Sequence, residues 1–276
     1  MDLVQIPSSV GIGLRSQHFH EILSTKPDVP WFEALTDNYL NQGGPAYRQL
    51  LQVREYYPMA LHGVALSLGS YDPLDKHYLQ ELKSLKEAVE PAWVSDHVCW
   101  TSYNGLQYQE LLPLSFTEEV LQHVAKRIAE VQSFLGEQIL VENTSSYFTY
   151  KNSTLSEWEF LGALAEEADC LLLLDVNNVY VNSVNHRFDP KIYIQAIDPK
   201  RVAQIHLAGF AEQAEGYLLD THGSNVSEKV SELFQFATKH LGKKPTIVEW
   251  DTNIPSLQTL QEEAQKAERI LTEITD

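Results

Sequence analysis

The sequence predicts a (β/α)8 barrel. Three observations carry that expectation. Eight short apolar segments alternate with segments of helical period along the chain. The length of 276 residues suits one such barrel, with residues 1–276 as a single domain. The phosphate-loop and dinucleotide fingerprints of doubly wound open sheets are absent, and Gly11-Ile12-Gly13 alone is too short to count. A doubly wound sheet is the alternative architecture.

Each element has a local reason. Val10–Leu14 is the first apolar run, followed by a helical turn over His18–Leu23. Trp31–Leu35 is the second strand, closed by Asp37-Asn38, and Ala46–Tyr57 turns Leu50, Leu51 and Val53 inward. Met59–Val64 is the third strand, extended by Leu66–Gly69. Asp75–Val89 carries the stripe Leu79, Leu82, Leu85, Val89 of an amphipathic helix. Trp93–Val98 is the fourth strand. Thr117 caps a long helix to Leu135, with Glu118 and Glu119 in its first turn. Gln138–Asn143 is the fifth strand and Ser156–Ala168 the helix behind it. Leu171–Val176 reads as a strand buried on both faces. Pro190–Ile197 is a short helix and Val202–Leu207 the seventh strand. Ser227–Leu241 is a helix stopped by Gly242. Pro245–Asp251 is the eighth strand, and Ser256–Ile274 closes the chain as a helix.

Lys plus Arg number 20 and Asp plus Glu 38, a formal net charge of −18. So acidic a surface disfavours non-specific binding to nucleic acid or anionic membrane, both of which need a cationic field. Cys99 and Cys170 give no disulfide framework and no paired-cysteine zinc spacing. Both read as buried packing residues, Cys170 at the end of the barrel away from the site. Without a signal peptide or a long apolar run, the expected location is the cytoplasm.

Barrel sites lie at the C-terminal ends of the strands. There the sequence places His62, Asp96 and His97, Glu142 and Asn143, Asp175 with Asn177 and Asn178, His206, Glu249 and Asp251, with Glu33 on strand two and Asp220 and His222 in the loop after strand seven. A single histidine at a strand end is more often structural, and a single Asp is usually a helix cap. Six consecutive strands ending in His, Asp or Glu are another matter. In a closed barrel these ends converge, and so many carboxylates and imidazoles repel or desolvate one another unless cations lie between them. Their number exceeds what one ion takes, so two or three ions with bridging carboxylates are expected. Imidazole and carboxylate without thiolate suit Fe, Mn or Zn. Asp96 and Asp251 are candidates to orient ligand histidines. His77, His123 and His240 fall in helix patterns and read as solvent-facing or helix-end residues. His18 and His20 are weaker neighbours of the site, and His186 is open. Trp100 and Trp250 read equally well as mouth walls or as core.

His62-Gly63-Val64, Ser95-Asp96-His97, Glu142-Asn143-Thr144-Ser145-Ser146-Tyr147, Asp175-Val176-Asn177-Asn178, His206-Leu207-Ala208-Gly209, Asp220-Thr221-His222-Gly223 and Glu249-Trp250-Asp251 occur in that order. Together they resemble the bacterial family of multinuclear non-haem iron-dependent oxidases to which the methanobactin-biosynthesis oxidase belongs. The resemblance runs from about Gly11 to Pro255. It implies a xylose-isomerase-like barrel holding two or three iron ions. Carried over, His62, His97, Glu142, Asp175, His206, Asp220, His222 and Glu249 become ligands, with Asn178 completing a site or standing behind it. It also implies oxidation of cysteine-containing peptides by dioxygen, the peptide presented by a separate partner protein. Two other functions fit the residues. One is a sugar isomerase or multinuclear metallohydrolase on the same kind of barrel, and the other is a non-catalytic protein that stores or delivers metal.

Overall fold

The computed structural model describes residues 5–40, 43–213 and 216–273. Eight parallel strands close into a barrel: β1 (Val10–Leu14), β2 (Phe32–Leu35), β3 (Met59–His62), β4 (Val94–His97), β7 (Leu140–Glu142), β8 (Leu171–Asp175), β9 (Val202–Leu207) and β12 (Thr246–Val248). They pair in that order, and β12 closes onto β1 through Val10 opposite Thr246. Two antiparallel hairpins stand outside the barrel: β5 (Trp100–Tyr103) with β6 (Leu106–Leu112), and β10 (Phe210–Glu212) with β11 (Leu218–Asp220).

The helices are α1 (Phe19–Thr25), α2 (Pro45–Arg54), α3 (Lys76–Val89), α4 (Glu118–Leu135), α5 (Glu157–Glu167), α6 (Val176–His186), α7 (Pro190–Ala196), α8 (Glu228–Leu241) and α9 (Leu257–Thr272). Asp75, Thr117, Ser156, Ser227 and Ser256 cap five of them, each side chain accepting N–H groups of the first turn. Thus the expected helix starts hold, shifted by the cap residue itself. The expected last residue of the closing helix, Ile274, lies outside the described residues. Among those residues no helix is long and apolar enough to cross a membrane.

Three sequence expectations need correction. Leu66–Gly69 does not extend β3; Ser67 there has a left-handed backbone, φ 50°. Val176, expected as the last residue of the sixth strand, is the first residue of helix α6, which also carries Asn177 and Asn178. The expected loop after the seventh strand contains the hairpin β10–β11, and Asp220 is the last residue of β11.

The barrel interior is layered. Trp31, Ala60 and Ile247 plug its lower end, with Trp93 edge-on to Trp31 at 6.0 Å. A side chain at Gly11 would meet the Trp31 ring at 2.8 Å, so that glycine is the space the plug occupies. Above it Gln204 accepts from the Trp93 indole and donates to Glu33 Oε2 at 2.6 Å. This polar floor supports the mouth.

Outside the barrel, Glu157 in the first turn of α5 accepts the Tyr193 hydroxyl at 3.0 Å and Asn182 Nδ2 at 3.1 Å. Burial pushes its carboxyl from the ordinary 4.5 up to about 7, against those two bonds. The folded chain therefore keeps this proton where the unfolded chain has lost it, and stability falls as pH rises from about 4.5 to about 7. Since the residue is partly exposed, the fall is about 1–2 kcal/mol. Glu157→Gln is expected to flatten the slope by that amount. Urea denaturation of the metal-free chain at about pH 5 and about pH 8 measures it, and an unchanged slope contradicts the assignment.

Candidate metal centre

The site is a buried knot of imidazoles and carboxylates at the C-terminal mouth. His62, His97, Glu142 and Asp175 end β3, β4, β7 and β8, His206 sits one residue before the end of β9, and Glu249 follows β12. His222 lies beyond β11, whose last residue is Asp220. All but Asp220 are buried.

Two histidines are fixed from behind. His97 Nδ1 lies 3.1 Å from the carbonyl of Gly63, which only accepts, so the proton is on Nδ1. His62 Nδ1 lies 2.8 Å from Ser95 Oγ, and that hydroxyl donates to the Leu61 carbonyl at 3.3 Å, so it too accepts from the ring. In both neutral rings Nε2 then carries the lone pair. Both Nε2 atoms lie 3.2 Å from the same carboxylate oxygen, Glu142 Oε2. Burial lowers both imidazoles below their ordinary value, so neither ring supplies a second proton readily. Lone pairs thus face lone pairs.

His206 repeats the pattern one layer deeper. Its Nε2 donates to Glu33 Oε1 at 2.7 Å, with Gln204 beside it, which leaves Nδ1 aimed at Glu249 Oε2 at 3.1 Å and Glu142 Oε1 at 3.5 Å. His222 Nδ1 lies 3.0 Å from Glu249 Oε2 and 3.2 Å from Asp251 Oδ2, and its Nε2 lies 2.8 Å from Asp220 Oδ1 and 3.6 Å from Asp175 Oδ2. Despite these approaches, Glu142 Oε2, Asp175 Oδ2, Asn178 Oδ1, His206 Nδ1 and His222 Nε2 are buried without a partner at hydrogen-bond angle.

Such convergence fits cations. Donor atoms about 2.1 Å from one ion stand roughly 3.0–3.4 Å apart at octahedral to tetrahedral angles, the separations found here. Four overlapping groups bring one atom from each member within 4.8 Å of the others: His62, His97, Glu142; His62, His206, Glu249; Glu142, Asp175, His206, Glu249; and His222, Glu249, Asp251. Without an ion the cluster takes up protons instead. Burial alone would lower His206 and His222, but the carboxylates around each outweigh it and hold both well above the ordinary imidazole value. Burial pushes Asp175 well up and Glu142 up. Those protons leave when metal enters.

The expected residues arrive in different roles. Asn178 donates its backbone N–H to Asp175 Oδ1 at 2.6 Å and its amide to the Asn143 carbonyl at 3.1 Å, which leaves Oδ1 free. Asn177 Nδ2 and Ser145 Oγ both donate to Asp220, at 2.9 and 3.0 Å. Asp251 does reach a histidine, while Asp96 accepts the backbone N–H groups of His97 and Leu66, at 2.7 and 3.2 Å. His18 bonds the Pro255 carbonyl, and His186 bonds Ser146. His123 is half-buried and bonded to the Ser70 carbonyl rather than solvent-facing. Trp250 belongs to the core, and Cys99, whose thiol burial raises, is fully enclosed.

Arg15, Ser95, Gln204 and Tyr147 were missed. Arg15 Nη2 lies 2.5 Å from Asp251 Oδ1, and Tyr147 Oη accepts the Asp220 N–H at 3.1 Å. Of these Gln204 had a signal: it alternates with His206 on β9 and so shares its face. Glu33 holds the proton of His206 and thereby sets which nitrogen faces the mouth. Glu33→Ala is expected to weaken any ion held at His206 Nδ1 by about 10–100-fold, read by chelator competition. Equal affinity in the variant would deny Glu33 that role.

Fold and site together define a xylose-isomerase-like TIM barrel with a buried histidine–carboxylate centre that metal ions can occupy. Residues 9–272 match the family described as RiPP precursor modification enzyme MbnB/TglH/ChrH, and the chain belongs to that family. A UPF0276 protein of Acaryochloris marina is 53% identical over 261 residues, covering 95% of this chain and 94% of its own length. Among solved structures, endonuclease IV from Thermus thermophilus superposes with a TM-score of 0.61 at 15% identity, covering 96% of this chain and all (100%) of its own. A xylose isomerase-like TIM barrel protein from Mycobacterium smegmatis in complex with magnesium gives 0.59 at 12% identity, covering 98% of this chain and 90% of its own. At such identity these structures show the fold alone. The family is one of enzymes.

Proposed function

We propose that the chain is a multinuclear iron-dependent oxidase that modifies cysteine residues of a ribosomally made peptide, with dioxygen as oxidant. The observation that carries this reading is the pair of Nδ1-anchored histidines whose Nε2 atoms both meet Glu142 Oε2 at 3.2 Å. The family supplies the peptide as substrate class. The residues that would hold two or three ions are His62, His97, Glu142, Asp175, Asn178, His206, Asp220, His222 and Glu249. Zinc or manganese suits the same donors. Iron there would supply a position for a substrate thiolate and electron transfer to dioxygen.

The chain's own residues prepare that chemistry. Ser95 and the Gly63 carbonyl aim two imidazoles, and Glu33 aims a third. Asn143 clamps the end of β8: its Oδ1 accepts the Asp175 N–H and its Nδ2 donates to the Asp175 carbonyl, both at 2.9 Å. The buried position of the cluster excludes bulk water, which strengthens every charge interaction inside. A separate partner protein in the cytoplasm is proposed to present the peptide.

Anaerobic purification and metal analysis test the reading. At least two irons per chain, and dioxygen uptake with a cysteine-containing peptide, are expected. Less than one iron per chain, with no gain on reconstitution, would sink it.

A further inference from the structure

We infer that the cavity between the β5–β6 hairpin and the loop after β7 is a side-chain subsite for the peptide substrate, taking an uncharged aromatic or branched apolar residue. This deepens the peptide-modifying reading and rests on it.

The cavity measures about 290 Å³ and is walled by Tyr71, Trp100, Tyr103, Leu114, Val120 and Tyr150. None of its lining residues is charged, on a chain of net charge −18. A lining without charged residues favours an uncharged side chain, because a carboxylate or an ammonium there would be desolvated without an ion-pair partner. Its size exceeds that of one large side chain, so an aromatic ring and its flanking backbone fit together.

The walls are built rather than loose. Tyr71 is 64% exposed, yet its ring stacks on His123 at 4.6 Å with 22° between the planes. His123 is itself tied to the Ser70 carbonyl at 2.8 Å. The Trp100 indole donates to the Pro113 carbonyl at 3.0 Å. Ser70 Oγ donates to the Ser102 carbonyl at 2.7 Å, which locks the 67–72 loop to the hairpin. A wall fixed before binding loses little entropy on binding.

Two of the chain segments that wall the cavity lead directly from residues of the metal centre. Trp100, three residues beyond His97, is the first residue of β5. Tyr150 lies on the segment that runs from Glu142 to α5. Along that segment Tyr147 accepts the Asp220 N–H, Phe148 is 46% exposed, and Phe148 packs on Tyr150 at 5.5 Å. An aromatic track thus runs from Asp220 to the cavity. Tyr150 is three positions beyond Tyr147, a reach of at most roughly 10 Å. An extended peptide with its reacting residue at the mouth therefore places a residue about three positions away over the cavity.

The test uses the full chain with ¹³C-labelled leucine and valine methyls, observed by NMR. The probes are N-acetyl-phenylalanine methylamide and N-acetyl-aspartate methylamide. Saturable shifts of the Leu114 and Val120 methyls with the first probe only are expected. Ser115→Trp, which fills the cavity, should weaken them at least tenfold, and so should the double variant Tyr71→Ala, Tyr103→Ala at exposed positions. No shift, equal shifts with the aspartate probe, or shifts unchanged in both variants would overturn the subsite. Binding of these probes needs neither iron nor turnover. A chain that binds them but lacks iron keeps the cavity and loses the oxidase; a chain that loads iron and oxidises peptide without binding them does the reverse.

Discussion

Glu142→Gln is expected to lose more than half of the bound metal while the barrel stays folded. Glu142 is the hub of the cluster: one oxygen faces His62 and His97 and the other faces His206. Glutamine keeps the shape and one oxygen but replaces the second with an amide that cannot bind a cation. Peptide oxidation should fall about 100-fold or more, since even residues behind the ligands cost 10–100-fold. The metal-free protein should move the other way. Burial pushes the Glu142 carboxyl up, so its folded-state proton is held to higher pH than in the unfolded chain. Stability contributed by that group is therefore complete at low pH and fades as pH rises towards neutral. Removing the charge removes the penalty. At about pH 8 the metal-free variant should melt at the same temperature as the parent or about 2–4 °C above it, while iron should raise the parent far more than the variant. Metal analysis and melting curves with and without iron measure both signs. A variant carrying the full iron content would show that Glu142 does not bridge the proposed ions.

The fold was legible because its signals are local. Leu171–Leu174 has no polar face, as a strand packed on both sides must be, and Asp75, Thr117 and Ser156 announce helices one residue ahead. The strand-end residues were legible for the same reason: apolar runs that stop at His or Glu. What was missed depends on longer range or on a weak local signal overruled. Asn104-Gly105 is a two-residue hairpin turn, with φ of 52° and 75°, and its sequence was signal enough for β5–β6. Helix α6 is different. Its Val and Asn residues are poor helix formers, and it forms because Val176, Val179 and Val181 are buried and Asp175 caps it. The partnership of Glu33 with His206 was out of reach, since nothing in the chain sets that pair opposite until the barrel closes. The same holds for Tyr71, whose place over the cavity depends on His123 from α4.

Asp175 performs two tasks with two oxygens, and substitutions can separate them. Its Oδ1 accepts the Asn178 N–H at 2.6 Å and caps α6, while Oδ2 lies 3.6 Å from His222 Nε2 with no partner of its own. Burial pushes this carboxyl, at a position with 0% exposure, well above its ordinary range, so without a cation it holds a proton, and the capping bond alone does not keep it ionised. Asp175→Asn keeps an oxygen for the cap and removes the charge. The barrel should stay folded, the metal-free stability should hold or rise, and metal affinity should fall about 10–100-fold. Asp175→Ala loses both tasks and should cost about 1 kcal/mol more of stability than the Asn variant, the ordinary worth of a cap. Denaturation curves and chelator titrations on the two variants read the two effects independently. If the Asn variant loads metal like the parent, Oδ2 is not a ligand; if Ala and Asn are equally stable, the cap is not what orders α6. The first result would move the proposed centre towards His62, His97 and Glu142, and the second would leave packing of Val176 and Val179 as the cause of the helix.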